Sequence, residues 1–214
     1  MIKLIVISLE GGILNKQVES TKQRILAEAL TLFSVKGFEP VTVAEIANAV
    51  GIKAPSLYKH YKSKQEIFEA IFIEMESRYE KQAISMDMYE IDQPLVSNIG
   101  EQKLLEVGIG LFQYSLHDDY VCKFRKMLTV ERYSNKDLTA LYTKRYIDEP
   151  LSHLLPLLAG VGMFSPDNQQ IMVLHFYAPI FLLQTLCDCH PERENEAIQM
   201  MKQHIRQFYQ LYKQ

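Results

Sequence analysis

The sequence is poor in cysteine, glycine and proline, and it contains no apolar run as long as a membrane span. Its three cysteines, Cys122, Cys187 and Cys189, are an odd number, which argues against a disulfide framework and favours the reducing cytoplasm. Nine glycines and eight prolines in 214 residues exclude collagen and low-complexity disorder. The longest apolar stretch, residues 171–186, is shorter than the ~20 residues that a span requires. We therefore expect a globular chain without a membrane partner.

Alternating strand patterns are also nearly absent, and they occur only in the N-terminal tail. This tail, residues 1–19, has one lysine and a short apolar run but no small-residue cleavage site, so it is a weak signal-peptide candidate. A flexible arm, a strand-like tail and a start codon upstream of the true domain remain alternatives. The rest of the chain is expected to be all-α.

Charge is distributed unevenly along the chain. The whole sequence has a formal net charge of -3, which by itself disfavours a nucleic-acid partner. Between Ser20 and Lys64, however, seven basic residues outnumber three acidic ones, giving +4 there and -7 over the remainder. Because attraction to phosphates is local, the N-terminal part has the sign required for binding DNA.

Helix start and stop signals divide the N-terminal part into four short helices. Ser20 or Thr21 can cap the first, which Gly37 ends, and Thr42 with Glu45 forms a capping box for the second, which Gly51 ends. A third helix is predicted at about residues 54–61, with Pro55 in its first turn, and a fourth begins after Ser63, with Glu66 three residues later.

The second and third helices, joined by a tight glycine-containing turn, form a helix-turn-helix pattern. In such a unit the second helix of the pair lies in the major groove. Lys53, Ser56, Tyr58, Lys59 and His60 can face outward and meet phosphates and base edges. Many small helical domains also carry a basic face, so the pattern alone leaves DNA binding open.

A longer set of residues in this region matches the pattern of one known protein family, without a gap between Gly37 and Lys64. They are Arg24-Ile25-Leu26, Ala29, Leu32-Phe33, Gly37-Phe38, Thr42-Val43, Ile46-Ala47, Val50-Gly51-Ile52 and Leu57-Tyr58-Lys59-His60-Tyr61-Lys62-Ser63-Lys64. With them, the stretch from Thr21 to Phe72 resembles the DNA-binding domain of TetR/AcrR-type transcriptional regulators. Tyr61 stands where the family often has Phe, and Lys53 where many members have a capping Ser or Thr, a loss of ~1 kcal/mol of local helix stability.

The resemblance implies an architecture and a set of DNA contacts. It implies a three-helix DNA-binding domain (residues 20–77), joined by helix four to a larger ligand-binding and dimerisation domain (residues 78–214). A homodimer would place its third helices in successive major grooves of a palindrome, about 34–36 Å apart or more. The implied DNA-binding residues are Thr42, Lys53, Ala54, Ser56, Tyr58, Lys59, His60, Lys62 and Lys64.

The C-terminal domain has longer helical patterns after a mixed linker, residues 86–98. Helices are predicted over residues 101–117, 120–133 and 136–159, the last kinked or broken at Pro150. Ser165 caps the next helix, which is apolar nearly all round and ends near residue 187, and a final helix spans residues 194–212. The resemblance implies that the last two helices pair with those of a second copy as a four-helix bundle.

The resemblance further implies a ligand pocket between helix four and the next four helices. Its aromatic, methionine and histidine candidates favour an apolar or aromatic effector, although such residues at helical spacing also occur in ordinary cores. They are Phe72, Met75, Phe112, Tyr114, Phe124, Met127, Tyr133, Tyr146, His153, His175 and Phe176.

The run Cys187-Asp188-Cys189-His190 concentrates metal-ligand residue types. The usual zinc spacing is absent and i, i+2 side chains diverge on a helix, so we predict no metal site and no cofactor. Metal or redox sensing is the alternative to a plain helix end. No nucleophile elbow, phosphate loop or paired-carboxylate motif appears, so an enzyme is not expected. The sequence thus predicts a cytoplasmic, effector-released regulator, by family default a repressor. The alternative is a helical binding or adaptor protein that lacks operator binding.

Overall fold

The computed structural model describes residues 20–85, 100–133, 135–159 and 169–213. The tail, the linker and the cap at Ser165 lie outside the described residues. Within them there are α-helices and no β-strand, which confirms the all-α prediction. The helices are α1 Thr21–Lys36, α2 Val43–Val50, α3 Ala54–Leu57, α4 Lys64–Ser85, α5 Glu101–His117, α6 Asp119–Glu131, α7 Lys136–Thr143, α8 Glu149–Ala159, α9 Gln169–Cys189 and α10 Glu194–Tyr212.

The predicted helix ends of the N-terminal domain are confirmed by their hydrogen bonds. Ser20 caps α1 through a capping box with Gln23, and Thr42 caps α2 through a capping box with Glu45. Gly37 and Gly51 end the two helices with φ of 84° and 77°, a region in which a side chain is strained.

Helix α3 is shorter than predicted and ends at Leu57, not at Tyr61. Lys53 precedes it without a side-chain cap, as its departure from Ser or Thr suggested. After Leu57 the chain tightens, and the N–H of His60 donates to the carbonyl of Leu57 at 2.8 Å, three residues back. The residues that follow therefore form a turn that leads into α4.

The predicted helix over residues 136–159 is interrupted by a π-helical segment, Lys144–Asp148. In this segment the N–H of Glu149 donates to the carbonyl of Lys144, five residues back. Pro150 lacks an N–H, and its ring would clash with the carbonyl four residues earlier in a regular helix. The wider π turn relieves that conflict, so the irregularity predicted at Pro150 is confirmed.

The described side chains form two hydrophobic cores. One core joins α1–α4 to α6 and α7, so the interior of the N-terminal domain continues into the C-terminal one, and the predicted boundary at residues 77–78 falls inside α4. The second core lies among α5, α8, α9 and α10. There a Cβ on Gly108 would lie 2.7 Å from Cδ1 of Ile205, so glycine permits the close approach of α5 and α10.

Helix α9 is longer than its apolar run suggested. At 21 residues it is long and apolar enough, by length and composition alone, to cross a membrane, so the argument from the length of residues 171–186 does not hold. Only 28% of its most apolar window is buried, although it packs against α5, α8 and α10. Its exposed apolar side chains are Ile171, Leu174 and Leu182.

Candidate nucleic-acid interface and ligand cavity

Most of the predicted DNA-binding residues lie on α3, immediately before it at Lys53, or in the turn that follows it. Leu57 is fully buried and anchors α3 in the first core. The side chain of Tyr58 is 51% exposed, and Lys53, Lys59 and Lys62 are also exposed. Ala54, Ser56 and His60 are half-buried at the edge of the same surface. Three ammonium groups and a phenol are thus exposed within residues 53–62, and groups of these types contact phosphates and base edges in DNA complexes.

Two of the predicted contact residues make intramolecular contacts. The hydroxyl of Thr42 accepts from the N–H of Glu45 at 3.2 Å and lies 3.0 Å from its carboxylate. The ammonium of Lys64 donates to the carbonyls of Phe38 and Glu39 at 2.7 and 2.9 Å and lies 4.4 Å from the centre of the Phe38 ring. Lys64 therefore joins α4 to the turn between α1 and α2. One N–H of its ammonium remains to donate to a phosphate.

The same turn is held from the other side by a residue that sequence reasoning missed. Glu131, at the end of α6, is buried, and its carboxylate accepts from the N–H of Phe38 at 2.6 Å. A Cβ on Gly37 would lie 2.4 Å from this carboxylate. No local pattern marks Glu131, because its partner lies 93 residues away in sequence.

A cavity of about 710 Å³ lies between α4, α5, the π-helical segment, α8 and α9. Its wall is mainly apolar and aromatic, as predicted. Five of the predicted ligand residues line it: Phe112, Tyr114, Tyr146, His153 and Phe176.

The other six predicted ligand residues do not line this cavity. Met75, Phe124 and Met127 are fully buried in the first core, and Phe72 packs on Phe124 with ring centres 6.3 Å apart. These four are core residues because α6 and one side of α4 pack against α1 of the N-terminal domain. Tyr133 is 85% exposed after α6, and His175 is exposed on α9, where its Nδ1 lies 3.2 Å from the hydroxyl of Tyr212.

Charged residues that the sequence did not single out also line the cavity. The guanidinium of Arg145 lies 4.0 Å from the centre of the Tyr79 ring, 2.9 Å from the carboxylate of Glu149 and 3.3 Å from that of Glu76. Burial lowers the pKa of Arg145, but Tyr79 and the two carboxylates outweigh it, so the pKa is raised. The i, i+4 spacing of Arg145 and Glu149 was the one available signal.

Tyrosines of the cavity wall are held neutral. The hydroxyl of Tyr146 is buried without a hydrogen bond of normal geometry, beside Tyr79, and burial raises its pKa well above the usual value. Burial also raises the pKa of Tyr114 to about 12. These phenols are therefore uncharged hydrogen-bonding groups at neutral pH.

An ionic network connects the cavity wall to α6. Arg125, buried on α6, donates to both carboxylate oxygens of Asp188 at 2.8 and 2.7 Å and to the carbonyl of Ser115 at 2.7 Å. The hydroxyl of Ser115, in the cavity wall, accepts from the amide of Gln184 at 2.7 Å. Burial opposes the charge of Arg125, but the hydrogen bonds and charge of Asp188 raise its pKa above the usual value.

The side chains of residues 187–190, at the end of α9, do not form a common site. Cys187 is buried and Cys189 exposed, both are free thiols, and burial raises the pKa of Cys187, which disfavours its reactive thiolate. In the part of the chain that the structure describes, no three His, Cys, Asp or Glu side chains are grouped to hold a metal ion.

The N-terminal domain matches the family model of bacterial regulatory proteins, tetR family, over residues 25–71. It is also similar to the biofilm operon icaADBC HTH-type negative transcriptional regulator IcaR of Staphylococcus aureus (strain Newman), with 48% identity over 48 residues. That match covers 22% of this chain and 26% of IcaR, so the chain spans about a quarter of the length of the curated relatives it matches. IcaR of Staphylococcus epidermidis is 47% identical over 47 residues, 22% of this chain and 25% of that protein.

Similarity to solved structures extends over most of the chain. A TetR-like transcriptional regulator from Rhodococcus sp. RHA1 superposes with a TM-score of 0.59 and 19% identity, covering 86% of this chain and 93% of its own. SmeT in its complex with triclosan gives a TM-score of 0.60 and 17% identity over 85% of this chain and 89% of its own. At such identities the likeness concerns the fold, whereas the sequence match concerns the N-terminal domain. By these two findings together, residues 25–71 match the tetR family of bacterial regulatory proteins, and the chain has the fold of solved TetR-like regulators.

Proposed function

We propose that the protein regulates transcription by binding an operator through its N-terminal domain, and that it represses. The observation that carries this proposal is the basic surface of α3, where Lys53, Tyr58, Lys59 and Lys62 are exposed together on a domain segment of net charge +4. IcaR, described as a negative transcriptional regulator, shares this part of the sequence, which supports repression. Such a role places the protein in the cytoplasm.

The apolar surface that α9 and α10 leave exposed supports dimerisation. Ile171, Leu174 and Leu182 on α9 and Met200 and Leu211 on α10 are each at least 48% exposed. Pairing of this surface with the same surface of a second copy would bury them in an isologous interface. The two copies of α3 would then be related by a two-fold axis, which matches a palindromic operator.

Release by a small molecule is supported by the cavity of about 710 Å³, a size typical of ligand sites. SmeT, which shares the fold, has been solved as a complex with triclosan. A ligand that fits the cavity better in one arrangement of the dimer shifts the population toward that arrangement by its differential affinity alone. We propose that the favoured arrangement places the two α3 helices at the wrong spacing for the operator.

The test is selection of binding sequences from a random duplex library, followed by footprinting on the region upstream of the protein's own gene. We expect an enriched palindrome and a protected segment that contains it. The control is a variant with Lys53 and Lys59 replaced by alanine, which should enrich nothing. If the natural protein also enriches no sequence while remaining folded and binding small molecules, the proposal is wrong and the adaptor alternative takes its place.

A further inference from the structure

The charges that line the cavity have an excess of one sign. Three carboxylates, those of Glu76, Glu80 and Glu149, line it against a single guanidinium, that of Arg145. Lys144 lies 3.7 Å from Glu149 but does not line the cavity. Glu149 is half-buried and Glu76 and Glu80 are exposed, so their unbalanced negative charge attracts cations and repels anions, in part screened by water. The sign of the lining thus restricts the ligands that can enter.

Arg145 does not offer a free positive charge to an anionic ligand. Its guanidinium is shared between Glu76 at 3.3 Å and Glu149 at 2.9 Å, and its face is taken by the Tyr79 ring at 4.0 Å. An anion would have to displace a carboxylate from it. The carboxylate of Glu80, in contrast, pairs with no residue in the described ranges and is available to a cation.

The aromatic part of the wall favours a cation of large apolar area. Tyr114 packs edge-on against Tyr79, with ring centres 6.1 Å apart, and Phe112 and Phe176 lie in the same wall. Faces of aromatic rings attract organic cations, most strongly where water is excluded. The hydroxyl of Tyr146 also lies in this wall, beside Tyr79, and its oxygen can face a positive centre.

We propose that the cavity binds organic cations with a bulky aromatic or aliphatic body, that neutral ligands of the same shape bind less tightly, and that their anionic counterparts are rejected. This inference rests on the proposed function, because it identifies the class of effector that the regulator would sense. It does not require the operator to be known.

A pair of probes of one shape and opposite charge tests the proposal. Tetraphenylphosphonium and tetraphenylborate would each be titrated into the full-length protein by calorimetry, with triphenylphosphine oxide as a neutral aromatic reference. We expect the phosphonium to bind at least about tenfold more tightly than the borate. Equal or tighter binding of the borate, or binding of neither ion, overturns the proposal.

Variants then assign the preference to the cavity. Glu80→Gln should weaken phosphonium binding about three- to tenfold and leave the neutral reference unchanged. The matched control is Glu69→Gln, an exposed position of the same helix that does not line the cavity, which should change neither. If Glu80→Gln weakens both probes equally, or neither, the charge of the cavity does not select the ligand and the proposal is wrong.

The cation preference of the cavity and the binding of DNA are measured independently. Binding of the selected duplex is measured without any probe and depends on α3. A protein that binds DNA but prefers the borate contradicts only the cation preference. A protein that prefers the phosphonium but binds no DNA contradicts only the proposal that it regulates transcription.

Discussion

Glu131 and Phe38 join the last turn of α6 to the end of α1 through one buried hydrogen bond of 2.6 Å from backbone N–H to carboxylate. The ammonium of Lys64, at the start of α4, donates to the carbonyl of the same residue at 2.7 Å. At its middle α6 is tied through Arg125 to the carbonyl of Ser115 in the cavity wall. Helix α6 thus forms a continuous physical connection from the cavity to the turn that precedes the helix-turn-helix, the kind of element through which ligand binding can move a domain.

Replacing Glu131 by Gln should loosen this connection. The carboxylate of Glu131 makes a charge-assisted hydrogen bond in a buried site, and the amide retains the shape but not the charge. We expect the free energy of unfolding in urea to fall by about 1–3 kcal/mol. Glu39→Gln, an exposed position in the same turn, is the matched control and should change it by less than about 0.5 kcal/mol. Equal effects of the two variants would show that the Glu131 contact does not stabilise the fold.

Gly37→Ala and Gly51→Ala form a second matched pair. Both glycines have positive φ, but a Cβ at Gly37 would lie 2.4 Å from Oε1 of Glu131, whereas at Gly51 it would meet nothing within 4 Å. Gly51→Ala should therefore cost only the backbone strain, about 1 kcal/mol. Gly37→Ala, with ψ of 169°, should cost clearly more, about 2–4 kcal/mol. Chemical denaturation measures both, and a Gly37→Ala cost no larger than that of Gly51→Ala would contradict the close packing of α6 against this turn.

Removing one partner of the buried Arg125–Asp188 pair should be strongly destabilising. Asp188→Ala leaves the guanidinium of Arg125, whose side chain is 4% exposed, without its bidentate partner. A loss of about 3–5 kcal/mol is expected. The exposed pair of Asp119 and Lys123 provides the control, since Asp119→Ala should change stability by less than about 0.5 kcal/mol. If Asp188→Ala lowers the free energy of unfolding only slightly, the Arg125–Asp188 pair does not stabilise the packing of α9 against α6.

The capping box of α2 predicts a dependence of stability on acid. A hydrogen bond from Lys36, followed by those from the N–H and hydroxyl of Thr42, lowers the pKa of Glu45 from 4.5 to about 2. Because the folded-state pKa is the lower one, this stabilisation is present above about pH 4.5 and is lost as pH falls through the folded-state value. Between pH 5 and pH 2, thermal melts of Glu45→Gln should therefore converge with those of the natural protein. Parallel melting curves across this range would contradict the role of the carboxylate.

The start and stop signals of the N-terminal domain were predictable because they are local. Ser20, Thr42 with Glu45, and the two positive-φ glycines act within a few residues, so the sequence carries them in full. The bounds of α5 and α10 followed from apolar periodicity for the same reason. The exposure of Lys53, Tyr58 and Lys59 beside α3 also followed, because the buried Leu57 fixes which side of this segment faces the core.

The candidate site was less predictable, because its geometry depends on contacts between distant segments. Aromatic residues mark both cores and pockets, so Phe124 and Met127 could not be distinguished from Phe112 and Phe176 before the helices were packed. Nor does Arg145 look functional in sequence, and it faces Tyr79 only because the π-helical segment directs it there. Glu131 has no signal at all, since its role arises from a partner in another helix.

Binding of DNA by α3 and the residues beside it would show in the salt dependence of binding to the selected duplex. Fluorescence anisotropy would compare the natural protein with a Lys53→Ala, Lys59→Ala double variant and with a control of equal charge, Lys81→Ala, Lys103→Ala, on exposed positions of α4 and α5. We expect the control to retain the natural slope of log affinity against log salt, and the Lys53→Ala, Lys59→Ala variant to lose about 0.9 of slope for each phosphate contact removed. Slopes and affinities that are the same for the two variants would contradict this expectation.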